Sequence, residues 1–328
     1  MTTALLTRAS LITTPLLCMC VIFFAGSLQA AESDEADLSV KLAPDRVVKY
    51  QWTTVTSSET NGREAEGPFT FKADLNIGMT AILKGLPAKG PGTRVAFRIE
   101  NYGYIDRKSL GKDVGEVQAM KGKIKVLQNG KTVVDSDNDI GLDEIKVIQQ
   151  TLKSIEAGQM DVSLDSSGKA LDEAAGEPSV VDTIRATGVE GMLRIVPGRT
   201  MRLGGVWEDS QSIPMLATFK LAKPVTVRST STFAGWETKD GKRLARIDIK
   251  TVWDPNDLKG DNGQGMLVEV SRVQGLGAGT CLFDPESGHF IEGAIEATSR
   301  YRIEGKKEGQ NMMLDVIGKN KFTFKQIP

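Results

Sequence analysis

Between Phe69 and Lys84 the chain alternates: Phe69, Phe71, Ala73, Leu75, Ile77, Met79, Ala81 and Leu83 are interleaved with mostly polar residues such as Lys72, Asp74, Asn76 and Lys84. Period two puts every apolar side chain on one face of a strand, and at ~3.3 Å per residue the strand runs roughly 50 Å. The same alternation returns at Val95, Phe97 and Ile99, and at Ala245, Ile247, Ile249, Thr251 and Trp253. Two further runs follow, from Ile291 to Ile303 and from Met312 to Phe324. Strands of this kind predict an antiparallel sheet with one dry face and one wet face.

The turns agree with that sheet. Asn129-Gly130 separates Ile124–Val126 from Val133–Val134, and Asp240-Gly241 separates Phe233–Trp236 from Leu244–Ile249. These dipeptides accept the positive φ angles of two-residue hairpins. Helical spacing appears at 142–157, where Ile145, Ile148, Leu152 and Ile155 share a face, Asp143 and Glu144 sit in the first turn and Gly158 follows. A weaker helical pattern spans 178–193.

The predicted fold class is therefore mainly β (α+β): a large curved antiparallel sheet of long strands with one or two covering helices. Leu164 to Lys169 and Phe283 to His289 are similar Asp-Ser-Gly hairpins. They suggest two related β-rich halves, residues 42–198 and 199–328.

The first 30 residues carry one charge, Arg8, then an apolar run from Leu16 to Ala25 and small residues up to Ala30. This is the layout of a secretory signal cleaved after Ala30, and the run is too short to span a membrane. Neither Cys18 nor Cys20 has the small preceding residue that lipidation needs, because Leu17 and Met19 stand there. Residues 31–41 read as a disordered acidic leader.

Export removes Cys18 and Cys20, leaving Cys281 and no internal disulfide. The 328-residue chain has a net charge of −1, and losing Arg8 makes it −2. That balance points to neither nucleic acid nor an anionic membrane surface. The expected location is periplasmic or secreted, with no integral membrane domain after cleavage. An outer-membrane barrel is disfavoured because its two aromatic girdles need more than the 6% aromatic residues present.

Candidate chemistry is sparse. His289 is the single histidine. If Phe283 pairs with His289 across the hairpin, Cys281 lies diagonal to the imidazole as a thiol–imidazole candidate. Asp135, Asp137 and Asp139 form a weak calcium candidate, spoiled by Ile140 and Lys146 where the loop needs glycine and glutamate. Gly275 to Thr280 runs into a strand, unlike a phosphate-binding loop. Ser109 to Lys112 and Ser166 to Lys169 match Ser-x-x-Lys without its companion motifs. No cofactor is called for, and no catalytic residue is singled out.

Several segments resemble an uncharacterised family of exported bacterial proteins: Val48 to Trp52, Val133 to Ser136, Val162 to Gly168, Leu203 to Trp207 and the hairpin at Phe283-Asp284. That resemblance implies export and a β-rich fold and transfers no activity. More distantly, a long sheet covered by helices is similar to the lipoprotein carriers of the LolA and LolB kind, whose apolar concave face holds acyl chains.

These features favour a non-enzymatic binding module for a hydrophobic small molecule, a lipid or a partner polypeptide of the envelope. Phe69, Phe71, Leu75, Ile77 and Met79 are its candidate ligand face. A structural or interaction protein of the envelope is the alternative, and a hydrolase without a recognisable motif the third.

Overall fold

The computed structural model describes residues 34–328 except 65–66, 89, 91, 121, 139–141, 177–180, 182–188, 214–219, 222–224, 254–257, 262–266 and 308–309. The expected signal segment, Asp139 and much of the second expected helix thus lie outside the described residues.

In chain order the elements of the first part are β1 (Glu35–Leu38), β2 (Val47–Glu64), β3 (Gly67–Leu86), β4 (Thr93–Leu110), β5 (Asp113–Met120), β6 (Lys123–Gln128), β7 (Lys131–Asp135), α1 (Leu142–Ala157) and β8 (Gln159–Leu164). The second part holds α2 (Val189–Leu193), β9 (Arg199–Arg202), β10 (Val206–Ile213), β11 (Lys220–Leu221), β12 (Val225–Lys239), β13 (Lys242–Trp253), β14 (Leu258–Asp261), β15 (Leu267–Asp284), β16 (His289–Lys307) and β17 (Gln310–Ile327).

The expected β-rich class is what the structure shows. Fifteen strands form one antiparallel sheet with the path β10-β12-β13-β15-β16-β17-β2-β3-β4-β5-β6-β7, and β8, β11 and β14 pair off that path. Among the described residues the sheet does not close into a barrel, with β10 at one edge and β7 at the other. Every run of alternation falls in a strand, and β3 contains the whole of 69–84. Six strands have 18 to 20 residues, about 60 Å at ~3.3 Å each. The two dipeptide turns have the positive φ pairs that a type I′ hairpin requires, 50° and 78° at Asn129-Gly130 and 50° and 76° at Asp240-Gly241.

The last strand, β17, pairs with β2 in the middle of the sheet, from Met313↔Arg63 to Ile327↔Lys49. Residues on one side of this seam supply β2 to β7, and those on the other supply β10 to β17. Two strands fork. The first part of β4 pairs with β8 and its second part with β5, while β15 pairs first with β14 and then with β13.

The principal core lies on the inward face and draws on residues from both sides of the seam, including Tyr50, Trp52, Phe97, Phe233, Phe283 and Phe324. Tyr50 Oη donates to the Phe290 carbonyl at 2.8 Å, so its hydroxyl is satisfied although the side chain is fully buried. A second cluster sits at the other end of the long strands around Val268, Val270, Ile303 and Val316. A third joins Leu152 of α1 to Ala119 and Ile124.

The expectation of a disordered leader over 31–41 is corrected for its described residues, 34–41. Glu35–Leu38 form β1, paired with β9, and Ala36, Leu38, Val40 and Leu42 are all buried. The acidic composition hid a second feature of the segment, its own period-two alternation, which gives it a buried face. Its backbone then reaches both expected hairpins: Val40 N donates to Ser166 O at 2.8 Å and Lys41 N to Gly288 O at 2.9 Å.

Candidate functional site

Along β3 the inward side chains change environment. Met79, Ala81 and Leu83 are buried in the principal core, whereas Phe69, Phe71, Leu75 and Ile77 are only half-buried. The expected ligand face therefore divides, with Met79 joining the core and the other four forming a row beyond it. Beside that row β2 presents hydroxyls, since Leu75 pairs with Thr56 and Phe71 with Thr60. Phe69 lies across Gly62 next to Leu314, because a Cβ added at Gly62 would be 2.2 Å from the Phe69 ring and 2.8 Å from Leu314. Phe69 is thus held flat against the sheet.

The opposite face is charged. Lys72 meets Glu59 at 3.3 Å, Lys321 meets Glu296 at 2.7 Å and Arg302 meets Asp315 at 2.8 Å. Outward apolar residues are interleaved with these, as Val55 pairs with Lys321 and Glu59 with Ile317. A lipid-facing barrel wall would need a continuous apolar band there.

On this charged face lies a depression of about 510 Å³. Its floor is a row of directly paired positions, Thr53, Gly78, Gly103 and Met120, on β2 to β5. The register slips beside it between Gly78 and Thr80, and Asn101 stands in the resulting bulge with φ 52°. Such bulges re-aim side chains, and Asn101 Nδ2 lies 3.5 Å from Thr80 Oγ1. Of the five expected ligand-face residues only Met79 lines this depression. Sequence reasoning passed over it, although glycine inside a strand is itself a signal of close approach.

The thiol–imidazole candidate is not assembled. Phe283 pairs with Phe290 and Asp284 with His289, after an irregularity at Leu282. His289 therefore shares a face with Asp284, while Cys281 shares the other with Phe283. Cys281 is buried against Gly293, and burial pushes its thiol up to about 12, far from a reactive thiolate. The His289 ring nitrogens lie 3.2 Å from Ser287 O and 3.4 Å from Ser287 Oγ.

The carboxylates of the calcium candidate are engaged locally. Asp135 accepts from Asp137 N at 2.9 Å and from Asn138 Nδ2 at 2.9 Å, and Asp137 pairs with Lys123 at 2.8 Å. Among the described residues no cluster of three or more potential metal ligands forms. Gly275 to Thr280 lie within β15, where Gly275 accommodates the Trp253 ring.

No family model matches the chain, and no curated protein is significantly similar to it. Among solved structures, the chain is similar to the COG4313 outer membrane channel from Pseudomonas putida F1 at 8% identity and a TM-score of 0.22, covering 89% of this chain and 98% of that one. It is also similar to the Acinetobacter baumannii outer membrane protein Omp33, with 8% identity, a TM-score of 0.15 and coverage of 84% and 97%. A third match is MucB in complex with MucA(peri), at 6% identity, a TM-score of 0.08 and coverage of 81% and 88%. At such scores function has to be argued from the chain's own residues.

Proposed function

We propose that this chain is an exported, non-enzymatic binding protein of the cell envelope that takes an apolar chain, such as an acyl group, along β3. The supporting observation is the half-buried row Phe69, Phe71, Leu75 and Ile77, which continues the core-facing side of the strand beyond the point where Met79 and Ala81 are covered. From Phe69 to Ile77 the row is about 26 Å long at ~3.3 Å per residue, suited to an extended ligand. Each methylene it buries contributes about 0.8 kcal/mol. The signal-like residues 1–30 support export.

The test is titration of the folded, delipidated protein with the fluorescent fatty acid cis-parinaric acid. Stoichiometric binding is expected, weakened at least tenfold by Leu75→Asp and by Phe71→Ser, with circular dichroism confirming that both variants fold. Absence of binding, or equal binding in the variants, overturns the reading.

A further inference from the structure

The depression on the charged face has no part in acyl binding, yet its construction is selective. A Cβ added at Gly78 would meet no atom within 4 Å, and its φ is not positive, so neither packing nor backbone geometry demands glycine there. Glycine in a strand interior lowers stability relative to a residue with a side chain. What its absence of a side chain provides is the space itself, beside Gly103 directly opposite, where packing excludes a side chain because a Cβ would fall 3.0 Å from Ala119 O and 3.1 Å from Met120 Cγ.

The lining is chemically uniform in one respect. Among the described residues that form it, none is Lys, Arg, Asp or Glu, although 25% of the chain is charged and ion pairs such as Lys72–Glu59 and Lys321–Glu296 lie on the same face. In their place the lining carries the amides of Gln51, Asn76 and Asn101 and the hydroxyls of Thr53 and Thr80. Ile105 and Met120, both exposed, add apolar patches beside them. Amides and hydroxyls each donate and accept, and so match a ligand whose groups do the same. The nearest charges on this face, Lys325 opposite Gln51 and Glu100 opposite Thr80, are of opposite sign and stand outside the lining, so the lining itself offers only neutral donors and acceptors.

We propose that this depression is a binding site for a neutral saccharide, its hydroxyls taken by the amide and threonine lining and its C–H faces by Ile105 and Met120. The volume lies within the ~300–1,000 Å³ typical of small-ligand sites. The site is on the face opposite the acyl row, so the two proposals stand or fall separately.

The experiment screens the protein, purified without detergent, on an array of neutral and anionic oligosaccharides, with titration calorimetry on the best hit. Binding to a neutral glycan is expected, at least tenfold weaker in Gly78→Val, which fills the floor, and in Gln51→Ala, which removes one exposed amide and provides the readout should Gly78→Val fail to fold. Leu75→Asp should leave glycan binding unchanged while weakening cis-parinaric acid binding at least tenfold. Failure of every neutral glycan to bind, a preference for anionic glycans, or undiminished binding in the folded variants overturns the proposal.

Discussion

His289 shows how much one residue's environment departs from its sequence context. It is buried at the end of β16, and burial first, then the nearby positive charges of Arg46 and Lys242, hold its imidazole below the ordinary value against the opposing pull of Ser287 and Asp284. The native state therefore resists the proton that the unfolded chain accepts. The resulting stability is intact above the ordinary imidazole pKa of about 6.5 and is lost as the pH falls below it. His289→Gln should flatten the dependence of the thermal midpoint on pH below about 6.5. An unchanged slope would assign that acid sensitivity to carboxylates such as Asp284, which hydrogen bonds from Ser287 and Lys242 hold below the usual range despite burial. That a lone histidine stood at a hairpin mouth was legible in the chain. Which face it occupied was not, because His289 pairs with Asp284 rather than Phe283, which puts the imidazole on the face opposite Cys281.

At the scale of elements, the long strands and tight hairpins were readable because period two and Asn-Gly or Asp-Gly are local signals. Helix α1 matched its 3.6-residue spacing for the same reason, with Leu152 and Ile155 buried beneath it. Residues 34–41, within the expected disordered leader, are ordered because the alternating apolar Ala36, Leu38 and Val40 outweigh their charged neighbours. They behave as a strap: Leu38 is fully buried, Leu38 O accepts from Gly198 N at 3.0 Å, and a Cβ at Gly288 would fall 2.4 Å from that of Lys41. Truncating Leu38 to Ala should destabilise the protein by about 2–5 kcal/mol, the usual cost of a cavity at a fully buried leucine. Urea denaturation measures this, and a loss under about 0.5 kcal/mol, a surface-like value, would mean that the strap is dispensable.

For the whole molecule, the seam between β17 and β2 makes one sheet from strands far apart in the chain. The principal core spans that seam, with Tyr50 and Phe97 on one side and Phe233 and Phe283 on the other. Calorimetry should therefore show a single unfolding transition, because neither set of strands retains its core without the other. Two resolved transitions would indicate independent halves. By itself the sequence determined strand length, the dry and wet faces, the hairpin turns and the main helix, each specified by residues close together in the chain. Tertiary structure alone decided the seam, the strap, the separation of Cys281 from His289 and the pairing of Gly78 with Gly103. Each of these depends on which distant strands become neighbours and in what register, a choice made by packing and hydrogen bonding across the sheet.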